Sequence, residues 1–307
     1  MSRNILMMAV AKGNNSSTTI KRYIGYANVN ILAINPTKAQ IKDLMGYEPQ
    51  EEPTYVGTME IDGKQVNFAR VDFIVKTTKE SGIDYTGRIS FMIRNQYRKG
   101  SQSGKYMVID KYNNTAWATE DVVKAGKQIV YSNGPAKIIG TYRPAYVGEW
   151  QFMNFIRQFL WIGSSGETNG FDYDNGVWIE KKGENLNQCE CGFSVEELQA
   201  MFKGDFTCVK DAIALQPNNQ IKVLFGIKTK DNKEFQDIYT DFVMRSNASN
   251  ASASSKFQEK VEEAKNNGGL QDRIYEFCPL KEYVVEATDF TTPSTDPLAS
   301  STSGTPW

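Results

Sequence analysis

Across residues 64–96, apolar and polar side chains alternate with a period of two. In 64–78, Ala69, Val71, Phe73 and Val75 fall on one face, and Phe68, Arg70, Asp72 and Ile74 on the other. In 84–96, Tyr85, Ile89, Phe91 and Ile93 oppose Arg88, Ser90, Met92 and Arg94. This spacing predicts two long strands of a sheet with one buried and one wetter face. An Ile-, Val- and Tyr-rich run over 20–34 predicts another strand. Strands at 106–112 and 115–118 are expected to pair across Asn113-Asn114, because Asn tolerates the positive φ of a tight turn. The clearest hairpin is 220–230 with 233–245 across Asp231-Asn232. Its expected inward set is Ile221, Val223, Phe225 and Ile227, opposite Ile238, Phe242 and Met244.

Helical signals are fewer. Asn35 as a cap, with Pro36 at the first helical position, predicts a short helix through Met45 that stops at Gly46. Phe152, Phe155, Ile156, Phe159 and Leu160 have helical spacing and predict a helix over 148–162. Ser194 and Glu197 form an S-x-x-E capping box opening a helix to Phe202. A loop is expected at 163–170, a strand near 177–180, a polar linker at 246–255 and an amphipathic helix over 256–267. From Thr288 the composition is that of a disordered tail, ending in Pro306-Trp307. The expected class is α+β and β-rich. The chain divides into a lead-in at 1–19, a core at 20–162 and an α+β part at 163–245 that completes or flanks it. Beyond the linker come a helix and short strand at 256–287 and the tail at 288–307.

Composition narrows the function. With 307 residues, 40% of them hydrophobic, the chain can bury a sizeable core. No apolar run approaches the roughly 18 residues that span a bilayer. Histidine is absent, which excludes Ser-His-Asp and Cys-His nucleophile systems and HExxH zinc sites. The net charge of −1 hides an asymmetry. Residues 1–150 hold 20 Lys and Arg against 13 Asp and Glu, whereas 151–307 hold 15 against 23. A polyanion-binding half beside an acidic remainder would carry such a split. Cys189, Cys191, Cys208 and Cys278 lack the knuckle spacing of a structural zinc site and are expected to be free thiols in a reducing compartment. Residues 5–11 loosely mimic a secretory leader but are shorter than one.

Candidate chemistry concentrates in 85–117. There Arg88, Arg94, Arg98, Lys99, Lys105 and Lys111 interleave with Tyr85, Phe91, Tyr97, Tyr106, Tyr112 and Trp117. Single-stranded nucleic acid is held by this mixture, cations tracking phosphates and rings stacking on bases. Residues 97–106 are expected to form a flexible basic loop. Lys21, Arg22 and Tyr23 make a second basic-aromatic patch, and Arg70 lies on the wetter strand face. The same residues also fit ordinary strand core and a solvated face. No P-loop and no G-x-G-x-x-G is present. Asp174, Glu180 and Lys182 outline a D-x5-E-x-K nuclease spacing on an acidic hairpin, a short and common pattern.

Several strings taken in order carry a resemblance: residues 30–39 (NILAINPTKA), 69–76 (ARVDFIVK), 108–119, 131–136 (YSNGPA), 142–146 (YRPAY), 202–206 (FKGDF) and 216–219 (QPNN). Together they resemble single-stranded DNA-binding proteins of large tailed phages of gut Bacteroidales, the crAss-like group. The resemblance spans about residues 20–245. It implies an oligonucleotide-binding (OB-fold) barrel with insertions that coats single-stranded DNA during phage DNA replication and recombination. It implies a cytoplasmic location in the infected cell, with no enzymatic activity, no cofactor, no metal and no membrane partner. The DNA contacts would come from Lys21, Arg22, Tyr23, Arg70, Arg88, Phe91, Arg94, Tyr97, Arg98, Lys99, Lys105, Tyr106, Lys111 and Trp117. Pro306 and Trp307 would recruit replication or recombination proteins, although the tail holds only Asp289 and Asp296 as acids. The alternatives are a virion or scaffold protein touching DNA or other subunits and, further off, a metal-dependent nuclease.

Overall fold

In the computed structural model, the described residues are 21–100, 104–110, 113, 115–119, 129–133, 136–140, 142–159, 161–162, 169–174, 177–181, 193–215, 219–230, 233–245, four helical positions between 258 and 266, and 273–284. The first part runs β1 (Arg22–Ile34), α1 (Lys38–Met45), β2 (Val56–Ile61), β3 (Lys64–Thr77) and β4 (Thr86–Tyr97). There follow β5 (Lys105–Ile109), β6 (Thr115–Thr119), β7 (Ile129–Asn133), β8 (Ala136–Gly140), β9 (Arg143–Pro144) and β10 (Tyr146–Val147). After α2 (Glu149–Arg157) come β11 (Trp161–Ile162), β12 (Asn169–Asp174) and β13 (Val177–Lys181). The last part holds α3 (Val195–Met201), α4 (Thr207–Ala214), β14 (Gln220–Lys230), β15 (Lys233–Arg245), β16 (Arg273–Ile274) and β17 (Lys281–Tyr283).

The main sheet is antiparallel in the order β10-β4-β3-β1-β14-β15, with β2 on β3, β16 on β14 and β17 on β1. Helix α2 packs against both β4 and β15, strands near opposite ends of that path. The sheet therefore curls into a half-barrel around the helix. The class is α+β and β-rich, as expected. The alternating face of β3 and β4 lies inward: Ala69, Val71, Phe73, Val75, Ile89, Phe91 and Ile93 are all buried. Phe155 of α2 sits with its ring 5.0 Å from Phe73 and 4.9 Å from Phe91. Removing such a ring costs about 3–5 kcal/mol through lost burial and the void left behind.

Ile221, Val223 and Phe225 of β14 join the same core, beside β1. Leu224, on the opposite face of β14, is buried as well and pairs with Tyr239 just past a register shift. The side chains of Phe242 and Met244 lie outside the described residues. The outer side of β1 and β14 is strapped by residues 273–283. Phe277 packs on Tyr26 at 5.1 Å and Tyr275 meets Tyr239 edge-on at 6.0 Å. The strap lies so close that a Cβ on Gly25 would sit 2.5 Å from the Cys278 carbonyl oxygen, and Gly25 has φ +108°. Only glycine suits both conditions.

Two helical expectations are revised, and one helix is added. Helix α1 begins later, because Thr37 makes a complete capping box with Gln40. Asn35 instead takes φ 48° and clamps β3, its Oδ1 accepting from the Asp72 amide at 2.9 Å. The helix predicted over 148–162 stops at Arg157. Phe159 is still buried in the following turn, but Trp161 and Ile162 pair with β12 instead of continuing it. Helix α4 carried no signal strong enough to be expected. The capping box at Ser194 forms as read, and Asn113 has the positive φ that its turn requires. The linker at 246–255 and the tail from 288 lie outside the described residues, as does most of 256–267.

Candidate nucleic-acid interface

Four of the nine cations singled out in the sequence, Lys21, Arg22, Arg70 and Arg88, are engaged with protein partners. Asp72, fully buried, sits between Arg70 at 2.9 Å and Arg88 at 3.6 Å. Arg70 also lies over the Tyr55 ring at 5.4 Å. Lys21 pairs with Glu282 at 3.1 Å, and that bond raises its pKa. Arg22 donates to the Glu234 carbonyl at 2.8 Å. Tyr23 packs against the core, edge-on to Tyr85. Phe91 is core as well, only 6% exposed, so it offers no open stacking face. Lys111, Pro306 and Trp307 lie outside the described residues.

A smaller set remains at the end of β4 and on the β5–β6 hairpin, divided between the two faces of the sheet, with Lys99 bridged to Tyr106 on the face opposite Lys105 and Trp117. Tyr97 is 45% exposed and Trp117 is 42% exposed. Tyr97 is tilted against Tyr146, ring centres 5.5 Å apart. Trp117 lies across the backbone of Gly100, where an added Cβ would come within 3.0 Å of its ring. Cross-strand register puts Lys105 and Trp117 on one face of the hairpin, because Lys105 opposes Thr119 and Met107 opposes Trp117. Tyr106 belongs to the opposite face and is half-buried. Among the described residues, Arg94, Lys99 and Lys105 have no carboxylate partner.

The expected flexible loop is largely ladder. Arg98 donates its amide to Ala145 O at 2.9 Å and accepts from the Met107 amide at 2.8 Å, and the Gly100 amide donates to Lys105 O at 2.8 Å. Only 101–103 of that stretch lie outside the described residues. The aromatic and basic side chains near 97–107 are therefore carried on paired backbone. Beneath them, Glu149 is fully buried and fixes the 143–149 turn. It accepts from two guanidinium nitrogens of Arg143 and from the Tyr146 amide at 2.9 Å.

Beside this patch is a cavity of about 350 Å³. Phe91, Met92 and Val147 supply its apolar lining, and Ser90, Arg98 and Gln151 its polar lining. Gly148 closes one end with φ +88°, and a Cβ there would fall 2.0 Å from Met92 O. One guanidinium nitrogen of Arg98 (Nη1) and the Gln151 carbonyl oxygen (Oε1) are buried with no hydrogen-bond partner. Sequence reading missed Gln151 because it falls between core positions of a helix. It also missed Lys222, half-buried 5.8 Å from the Tyr26 ring, whose pKa is lowered by burial.

Other chemistry finds less support. Asp174 pairs with Val177 and Glu180 with Phe171, three ladder positions apart, and Lys182 lies outside the described residues. Among the described residues, no group of three or more His, Cys, Asp or Glu could hold a metal ion. Cys208 and Cys278 are free, and burial pushes the Cys208 thiol up to about 12. Among the described residues, no helix is long and apolar enough to cross a membrane. No family model, curated protein or solved structure matches the chain.

Proposed function

We propose that this chain binds single-stranded DNA with little sequence preference through the end of β4 and the β5–β6 hairpin. The observation that carries the reading is an exposed ring near a cation that no carboxylate neutralises among the described residues, on each face of this paired segment: Trp117 with Lys105 on one, Tyr97 with Lys99 on the other. Exposed rings give bases a stacking surface, and unpaired cations give phosphates a counter-charge. On this reading the half-barrel is an elaborated oligonucleotide-binding barrel. The protein then coats DNA during phage replication and recombination, in keeping with the resemblance of residues 20–245. Arg70, Arg88 and Arg22 are engaged with the fold and Lys21 with Glu282 at its surface, which leaves the strand to the remaining cations.

The test is a titration of the full chain with labelled poly-dT and with duplex of equal length. Poly-dT should bind more tightly, and log affinity should fall with log salt by roughly 0.7 per contacted phosphate. Equal or weaker binding of poly-dT, or none at low salt, refutes the reading and favours a virion or scaffold role.

A further inference from the structure

We infer that Gly100 is a positioning residue for Trp117: the bare glycine lets the indole lie along the sheet, across β5, and offer one open face to a single base. This rests on the strand-binding reading and adds to it how one of its stacking rings is held. Strand order fixes the geometry. On one side of β5 lies β6, with Trp117 opposite Met107. On the other side lies the 98–100 segment, where the Gly100 amide donates to Lys105 O and Lys99 bridges Tyr106. Positions two strands apart are separated by roughly 9–10 Å. A side chain standing perpendicular to the sheet, the usual direction on a strand, stays above its own residue. Trp117 does not, because its six-membered ring occupies the space above Gly100. A Cβ added there would fall 3.0 Å from Cζ3 and 3.1 Å from Cε3. The indole therefore leans over β5 with one side against the backbone, and the 42% of Trp117 that stays exposed belongs to its outward side.

Glycine is needed here for space and not for conformation. Gly100 lacks the positive φ of Gly25 or Gly104, so other residues can adopt its backbone. Apart from the ring, the nearest atom to an added Cβ is Lys105 O at 3.6 Å, an ordinary contact. A side chain at position 100 would thus act on the indole and on little else, wedging it off the sheet. Lys105 is exposed on the same face of the hairpin, beside the path the ring takes over β5. A base stacked on the outward side of Trp117 brings its phosphate towards that ammonium group. A wedged ring loses this alignment. Tyr97, on the opposite face, leans on Tyr146 and is independent of Gly100.

The experiment is a double-mutant cycle on the full chain, read by poly-dT anisotropy and thermal midpoint. Gly100→Val fills the space beneath the ring and should weaken poly-dT binding about fivefold, the lower end of the loss of one stacked base, with Gly100→Ala weakening it less. Both variants should melt close to wild type. In a Trp117→Ala background Gly100→Val should change affinity no further, whereas in a Tyr97→Ala background it should still cost the full factor. A second arm needs no DNA. The Gly100 Hα resonances should be shifted upfield by the indole ring current and return to ordinary values in Trp117→Ala.

Coupling to Trp117 but not to Tyr97, together with the upfield shift, supports the role. If wild type binds poly-dT but Gly100→Val leaves affinity unchanged, or weakens it equally with and without Trp117, the positioning role is overturned while strand binding stands. Ordinary Gly100 Hα resonances in wild type overturn it whatever the DNA result. If wild type does not bind poly-dT, the strand-binding reading fails and the role falls with it, even where those resonances are shifted. Should Gly100→Val lose its fold, Gly100→Ala is carried through the same cycle.

Discussion

Replacing Asp72 with Asn separates the structural from the functional use of the basic residues on β3 and β4. The carboxylate is fully buried between Arg70 and Arg88, which are themselves 27% and 26% exposed. Removing one partner of a fully buried ion pair costs about 3–5 kcal/mol, mostly for the charge left behind. Both guanidiniums keep some water, and Asn still accepts one bond from Arg70. The expected loss is therefore about 2–3 kcal/mol, below the fully buried range. Urea unfolding followed by tryptophan fluorescence measures it as a lower midpoint with an unchanged slope. The same variant carries one more net positive charge on that face. If Arg70 and Arg88 touched DNA, freeing them would tighten poly-dT binding and steepen its salt dependence. Unchanged affinity is expected instead. An unchanged unfolding midpoint would refute the account of the ion cluster, and a clear gain in affinity would return both arginines to the binding surface.

Trp117→Ala and Tyr97→Ala should each weaken poly-dT binding by about 1–3 kcal/mol with little change in thermal midpoint, checked by anisotropy and by a melting scan. Lys99→Gln and Lys105→Gln should each lower the salt slope by roughly 0.7, whereas Lys21→Gln, whose cation belongs to Glu282, should leave it alone. Burial raises Cys208 from 9.0 and Tyr85 from 10.0, each to about 12. Both favour the native state in their neutral form, so their contribution is complete below about pH 9 and is lost as pH rises towards about 12. Urea midpoints measured across that range should fall, and a flat profile would contradict the burial of these groups. Ser194→Ala removes the accepting oxygen of the α3 capping box and should cost about 1 kcal/mol in chemical unfolding.

The strands were legible because a half-buried strand imposes a period of two; β4 keeps it along its length, whereas β3 is buried on both faces from Val71 to Val75, so its expected wetter face is lost there. The fate of their cations was partly legible too. Alternation already put Arg70 and Asp72 on one face, two positions apart, where they pair. That Arg88 joins them needed the β3–β4 register, which sets Ile74 opposite Arg88 and Asp72 opposite Ser90. The cavity was not legible at all. It brings Arg98 and Gln151 together through β10 and its register shift against β4, which no local pattern encodes. Helix α4 was missed for a simpler reason. It is eight residues long, and its first amide, Thr207 N, donates to the Asp205 carboxylate at 3.0 Å from one residue before Phe206, the cap position, while burial of Val209, Ala212 and Ile213 holds it in place. The start of α1 was misplaced because Asn35-Pro36 mimics a cap, while the complete box lies at Thr37.

The place of β1 between β3 and β14 has a consequence for how the protein is made. On one side Asn30 faces Lys76, which follows it early in synthesis; on the other it faces Gln220, which comes after most of the chain has been translated. Until β14 emerges from the ribosome, the edge running from Gly25 to Asn30 has no ladder partner among the strands that precede it. An open strand edge is a template for a neighbouring chain. Contacts this distant in sequence also form slowly, since a long loop must close before they are rewarded. A chain stalled or cleaved before Gln220 would keep that edge open, so chains shortened at their C-terminal side should aggregate where the full-length protein does not.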